Sequence, residues 1–235
     1  MNNIKISILI SAYNVENYIE ECLHSLKCQT LKEIEVIIVD DGSTDKTGEI
    51  AEMYAHSDRR FRVVHQSNKG LTQSRNIGLS LAQGKYVGFV DGDDYVSKDA
   101  FEQLFLRAEA YSADIVLGSV LYTYEDGTFQ RVGNKSVAFQ SHSGTMEGKQ
   151  CFKLLIKTGC YIPMVWSNLY RLDFIQQNQL HFEATFHEDE YFMPYALFFA
   201  KKVIDINIDF YFYRQRQGSI TVSYTHLTLP TNREV

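Results

Sequence analysis

A chain of 235 residues, 45% hydrophobic and 13% aromatic, is long enough to bury a sizeable core as one large domain or two small ones. Its 29 acidic and 23 basic residues leave a formal charge of -6, and no block of Lys or Arg offsets it, which argues against a nucleic-acid partner. Cys22, Cys28, Cys151 and Cys160 form neither a C-x-x-C pair nor a dense framework, so reduced structural thiols and no zinc site are expected. The first residues lack the charged start and apolar stretch of a signal peptide. The longest apolar stretch, around residues 191–200, is about half the ~20 residues a membrane-spanning helix needs. A cytoplasmic location is expected, with room for peripheral contact at the inner face of a membrane.

Up to about residue 125, short β-branched runs alternate with amphipathic segments, the pattern of a largely parallel sheet covered by helices. The strand candidates are residues 4–11, 35–40, 62–65, 86–90 and 114–121. Between the first two, Tyr18, Ile19, Cys22, Leu23 and Leu26 recur at helical spacing, with Asn14 or a neighbour as the expected cap. Residues 45–56, 71–82 and 98–111 read as further helices, and Gly84 as the stop of the middle one. Residues 125–149 are polar and Gly/Ser-rich, which predicts a hairpin or an extended excursion. Helical patterns resume at 147–157 and 191–200, followed by a strand at 203–208 and the aromatic run Phe210-Tyr-Phe-Tyr213. No repeat, low-complexity tract or linker divides the chain, so one domain with two functional halves is expected, residues 1–95 and 96–222.

The fourth strand candidate ends in Asp91-Gly-Asp93-Asp94, three carboxylates within four residues. Like charges at that separation repel and raise one another's pKa, and a divalent cation that prefers oxygen ligands removes the penalty. A solvated turn is the plain alternative, since Asp and Gly favour turns for backbone reasons. An EF-hand is excluded, because its sixth position, which requires Gly, is Val96 here. A second acidic strand end, Asp40-Asp41-Gly42-Ser43, precedes it. In open α/β sheets ligands bind at the carboxyl ends of strands, so the two ends point to one site for a metal and phosphates. Neither G-x-G-x-x-G nor G-x-x-x-x-G-K-[ST] occurs, which removes dinucleotide-binding and P-loop readings. The loop after the first strand, Ser11-Ala-Tyr-Asn-Val-Glu-Asn-Tyr18, lacks the glycines that a triphosphate requires and suits a base and ribose.

Ser7-Ile-Leu-Ile-Ser-Ala-Tyr-Asn14, Gln29-Thr30, Val39-Asp-Asp-Gly-Ser-Thr-Asp45, Asn68-Lys-Gly-Leu-Thr-Gln-Ser-Arg-Asn76 with Gly78, and Phe89-Val-Asp-Gly-Asp-Asp94 resemble, in order and spacing, the motifs of family 2 glycosyltransferases. Val165-Trp-Ser-Asn-Leu-Tyr-Arg171, Glu188-Asp189, and Tyr213-Arg214 through Gly218-Ser-Ile-Thr221 extend the resemblance to about nine tenths of the chain. It implies a single GT-A domain: a Rossmann-like, mostly parallel central sheet flanked by helices, with an irregular acceptor-side half. It also implies an inverting enzyme that moves a sugar from a nucleotide-diphosphate donor, most readily a UDP-sugar, to the hydroxyl of a saccharide or lipid-linked saccharide in polysaccharide or glycoconjugate assembly.

Carried onto this chain, the resemblance gives Asp41 to the base of the donor, with the backbone of Ala12 and Tyr13 packing against it and Asp40 supporting the turn. Asp93 and Asp91 form the D-x-D pair, Asp93 on Mn²⁺ or Mg²⁺ and Asp91 toward ribose or metal. Arg75 would approach the diphosphate as a fork-shaped donor, or else be a helix-surface arginine. Lys69 is a weaker candidate of the same kind. Asp189 is the expected catalytic base and Glu188 its helper, because the reaction needs a carboxylate to take the acceptor hydroxyl's proton. Capping of a helix N-terminus is the alternative for this pair, and His187 beside it reads as structural.

Two departures qualify the resemblance. Trp166 is followed by Ser167-Asn168 where many relatives carry Asn-Lys, so a contact by that lysine is in doubt. The Q-x-x-R-W motif of processive synthases is absent too, which favours addition of a single sugar. A nucleotide-sugar-binding subunit without turnover and a nucleotidyltransferase remain the alternatives. Residues 223–235 continue neither helix nor strand, resemble translated adapter sequence, and are expected to be a non-native tail.

Overall fold

The computed structural model of the chain describes residues 4–132, 144–183 and 188–216. Its first half is a run of β-strand and helix units. Strands β1 (Ile6–Ala12), β2 (Ile34–Asp40), β3 (Phe61–His65) and β4 (Tyr86–Asp91) lie in parallel in the order β3-β2-β1-β4. Helices α1 (Ile19–Lys27), α2 (Thr47–Ser57) and α3 (Leu71–Leu81) connect them. β1, β2 and β4 are buried along nearly their whole length and largely apolar, because both faces of a central parallel strand are covered. Register sets Ala12 beside Asp40 and Ser11 beside Asp91, so the acidic strand ends meet along one edge of the sheet.

The second half builds on that sheet from distant pieces. β5 (Tyr95–Val96) leads into α4 (Ala100–Tyr111), β6 (Ile115–Thr123) and β7 (Phe129–Val132). Then come α5 (Gly148–Lys157), β8 (Asn168–Arg171), α6 (Leu172–Gln177), α7 (Glu188–Phe199) and β9 (Val203–Arg214). β8 wedges antiparallel between β4 and β6, β9 runs parallel to β6 and antiparallel to β5, and β7 folds back on β6. The result is one mixed, mostly parallel sheet flanked by helices, as the sequence predicts.

Several local expectations are corrected. α1 starts at Ile19 behind Tyr18 and has no side-chain cap. Asn14 instead lies in the left-handed region at φ 50° and accepts the Thr44 amide at 2.8 Å, tying the loop after β1 to the loop after β2. Gly84 does not end α3, which stops at Leu81; a side chain there would meet the Ser7 amide nitrogen at 2.5 Å, so the glycine permits close approach to β1. Asp45 lies outside α2, where its carboxylate accepts the amides of Thr47 and Glu16. β9 absorbs the aromatic run, and β8 is an added strand that the segment from Val165, which carries no alternation, does not signal. β6 and β7 form the expected hairpin at the start of the polar segment; residues 133–143, like His187 and the 223–235 tail, lie outside the described residues. The four cysteines are free thiols, with Cys22, Cys151 and Cys160 buried.

Candidate active site

The C-terminal edges of β1 and β2 bring Ala12, Tyr13 and Asp41 together. The Asp41 amide bonds the Ala12 carbonyl at 2.9 Å, Ala12 is buried, and the Tyr13 ring is 47% exposed beside them. The buried Asp41 carboxylate accepts Gln66 Nε2 at 2.6 Å and the amides of Lys69 and Gly70 at 2.7 and 2.8 Å. Gly70 sits at φ 88°, a conformation L side chains rarely adopt, and this turns the loop so that both amides face the carboxylate. Asp40 supports the turn, as expected: it accepts the Ser43 amide at 3.1 Å and pairs with His65 Nδ1 at 2.8 Å. Lys69 contributes its backbone here, and its side chain is exposed.

Arg75 links the two halves. It lies on α3 and is only 3% exposed, which removes the helix-surface reading. Its Nη2 donates to Asp91 Oδ1 at 3.1 Å, and its Nη1 donates to Glu188 Oε1 at 2.6 Å and to Asp189 Oδ1. Phe182 closes one side, its ring centroid 5.5 Å from the guanidinium carbon. Burial pulls the arginine's pKa down, but Asp189, Asp91 and Glu188 outweigh it and hold it above its ordinary value.

One cation cannot neutralise three carboxylates. Burial drives the Asp189 pKa up to about 6; Arg75 pulls it down, while Glu188 and Asp91 add to the rise. Burial likewise raises Asp91, against the opposing pull of Arg75 and with a further push from Asp93. Asp189 also accepts the Val165 amide at 3.4 Å, just before Trp166, whose ring stacks on Tyr213 at 5.0 Å and lies tilted against Tyr211 at 4.4 Å. Helix capping therefore does not exhaust the role of Glu188 and Asp189: both side chains reach across to Arg75 on α3, which in turn holds Asp91 at the end of β4. Asn168, at the departure noted above, is buried and donates to the Met164 carbonyl and to Tyr170, so this position serves the core here.

The three carboxylates of Asp91-Gly-Asp-Asp94 separate in space. Asp94 turns inward, accepting Tyr211 Oη and the Arg214 amide at 2.8 Å each; burial, then Asp93 and Asp91, lift its pKa well above the usual range. Asp93 faces the end of β9, where Arg216 donates Nε at 2.8 Å and Nη2 at 2.7 Å to Oδ2, and Arg214 Nε reaches the Asp93 carbonyl at 3.0 Å. No sequence pattern gives Arg216 or Tyr211 a place in the site: Tyr211 belongs to the aromatic run Phe210–Tyr213, and the signal for Arg216 is a second basic residue two positions after Arg214. Among the described residues no three His, Cys, Asp or Glu side chains surround a common metal position. Asp91, at the end of β4, and Asp93, in the turn two residues on, are hard oxygen donors, and Mg²⁺-like ions are commonly held by one or two carboxylates with substrate phosphates and water completing the shell. The donor set fits such an ion, which would share Asp93 with Arg216 or displace it.

The family model described as Glycosyl transferase family 2 matches residues 7–167. EpsJ of Bacillus subtilis (strain 168), described as an uncharacterized glycosyltransferase, is 40% identical over 218 residues, covering 92% of this chain and 62% of that protein. The glycosyltransferase GlyA of Streptococcus pneumoniae serotype 4 is 34% identical over 233 residues, covering 94% of this chain and 32% of that protein. Among solved structures, S. aureus TarS 1-349 in complex with UDP-GlcNAc superposes with a TM-score of 0.78 at 27% identity, covering 93% of this chain and 61% of that one. The chain thus spans less than two thirds of each of these proteins. With the motif order, the sheet and the family match in agreement, this chain belongs to glycosyl transferase family 2.

Proposed function

We propose that the chain is an inverting, non-processive glycosyltransferase that moves one sugar from a UDP-sugar to an acceptor hydroxyl in saccharide assembly. The observation that carries this reading is Asp189: a carboxylate with a pKa near 6, reaching over Arg75 toward the strand end that bears Asp91 and Asp93. The binding of UDP-GlcNAc by the structural neighbour TarS supports a nucleotide-sugar donor.

In this reading the uracil rests on the edge formed by Ala12, Tyr13 and Asp41, and the diphosphate extends toward Asp91 and Asp93. Mg²⁺ or Mn²⁺ held by Asp93 and Asp91 would supply positive charge for the departing diphosphate. Asp189 takes the proton of the acceptor hydroxyl as that oxygen forms its bond to the anomeric carbon and the bond to the diphosphate breaks. The configuration inverts in that single displacement. A carboxylate with a pKa near 6 is ionised at neutral pH yet basic enough to share the proton in the transition state. Glu188 and Arg75 fix its orientation.

The test is Asp189→Asn assayed by UDP release from UDP-sugars, with UDP affinity measured alongside. General-base catalysis is worth about 10²–10⁴-fold, so kcat falls by that order while UDP affinity holds. Turnover within about threefold of the parent would remove Asp189 from the role. Absence of turnover in the parent, with UDP-sugar still bound, would favour a binding subunit.

A further inference from the structure

Helix α7 is apolar on two sides. Phe192, Met193, Ala196 and Leu197 face the core, whereas Tyr191, Tyr195, Phe198 and Phe199 form a second stripe at i, i+4, i+7 and i+8. Tyr195, Phe198 and Phe199 are 47%, 54% and 41% exposed. Surface helices ordinarily turn polar residues to water, and aromatics gathered on one exposed face mark an interaction surface. The rings pair among themselves, Tyr191 stacked on Tyr195 at 4.7 Å and Phe198 edge-on to Phe199 at 5.2 Å.

Basic residues border this stripe. α5 packs beside α7 and presents exposed Lys149, Lys153 and Lys157 at i, i+4 and i+8, together with the exposed Ile156. The Lys149 ammonium lies 4.1 Å from the Phe198 ring centroid, so the two stripes meet, and exposed Lys201 and Lys202 follow α7 directly. Of the acidic residues on these segments, Glu147 and Glu190 are exposed, two against five lysines on a chain whose net charge is -6.

We propose that this face docks on an anionic lipid bilayer, with the aromatics of α7 entering the interface and the lysines facing headgroup phosphates. Charge complementarity selects this occupant, because an uncharged apolar partner would leave the lysines without counter-charge. Aromatic rings beside basic residues are also the composition of interfacial helices. None of the described helices is long and apolar enough to cross a membrane, and docking through this face is a contact with the bilayer surface. Since α7 opens with Glu188 and Asp189, docking also brings the end of the helix that bears the base near lipid-borne hydroxyls. That consequence rests on the function proposed above, whereas docking itself is read without turnover.

The experiment is co-sedimentation of the chain with vesicles of phosphatidylcholine alone and of phosphatidylcholine containing phosphatidylglycerol. Binding is expected only to the second kind, weakening as salt screens the lysines. At about fivefold per lysine, Lys149→Gln, Lys153→Gln and Lys157→Gln combined lower partitioning about a hundredfold. Tyr195→Ser with Phe198→Ser lowers it as well. All of these side chains are outside the core, so melting temperature and UDP affinity stay near the parent's and report intact folding. Equal binding to both vesicle types, no binding, or variants that bind like the parent would overturn the proposal. A dimer dissolved by Tyr195→Ser with Phe198→Ser would instead make the face a contact between two copies.

Discussion

The two halves of the molecule reach one sheet by different routes. From β1 to β4 each strand pairs in parallel with neighbours brought back by a single helix, and the acidic strand ends follow from register alone. From β5 onward the sheet is closed by β8, inserted between β4 and β6, and by β9, which spans from β6 to β5. In the function proposed, the first half offers a preformed edge for a nucleotide. The second supplies carboxylates and aromatics whose places depend on partners far along the chain. Arg75 is where the halves meet, bonding residues 113 and 114 positions away.

Breaking that meeting point is expected to have the largest effect on stability. Arg75→Met leaves Asp91, Glu188 and Asp189 without their shared cation, and removing one partner of a buried ion pair typically costs about 3–5 kcal/mol. Chemical denaturation should show a loss of that order; a loss under about 1 kcal/mol would mean the halves do not depend on the arginine.

A pair of glycines sharpens the contrast. In β6, a methyl group on Gly118 would run into the Phe210 ring and the Ser167 carbonyl, where β9 and the β8 region converge. Gly118→Ala should cost about 1–3 kcal/mol through overpacking. On α3, a methyl at Gly78 would meet Leu9 at ordinary distances of 3.4–3.6 Å. Gly78→Ala should therefore be neutral or gain up to about 1 kcal/mol of helix propensity. Equal losses at both sites would mean that the space around these two glycines does not decide their tolerance.

The first half was largely legible in the sequence, and so were α4, β6, α5, α7 and the start of β9 in the second, whereas the short elements β5, β8 and α6 were not. Residues 35–40 and 86–90 declare themselves as strands because a covered parallel strand is apolar along most of its length. β8 is four residues long and draws its identity from β4 and β6, neither of which its own spacing reveals. The site divides the same way. Asp41, Asp91 and Asp93 could be picked out from strand ends, and Asp189 from its resemblance to a family motif. That Arg75 is buried among three carboxylates, that Asp94 serves Tyr211, and that Arg216 engages Asp93 depend on long-range contacts that no local pattern encodes.

Asp93 offers a test confined to binding. If it holds the ion, UDP binds more tightly with Mn²⁺ than with chelator, and Asp93→Ala removes most of that difference; equal affinities in the parent would contradict the metal assignment. Arg216→Ala should raise Mn²⁺ affinity in the absence of nucleotide by freeing the Asp93 carboxylate, which calorimetry reads directly.

The smallest effect expected is thermal and depends on pH. The folded pKa of Asp189 is raised to about 6, so between the ordinary aspartate value of 3.8 and 6 the native state binds more protons than the unfolded one. Stability from this group is therefore present at low pH and lost as pH rises through that window. Asp189→Asn mimics the protonated form and should raise Tm by a few degrees at pH 7, with the gain disappearing below about pH 4. An equal gain at both values would mean the effect is not ionisation.

The most direct test of the central claim is the pH dependence of kcat/KM for UDP release. Asp189 is faced by Arg75 from α3, Asp91 from β4 through that arginine, Glu188 from its own helix, and Tyr161 and Tyr170 from the segments around β8. Of these, Asp189 is the group whose ionised form accepts the proton in the mechanism proposed. The account predicts that kcat/KM rises about tenfold per pH unit below an apparent pKa near 6 and levels off above it. A profile flat from pH 5 to 8, or one that falls as pH rises through 6, would contradict it.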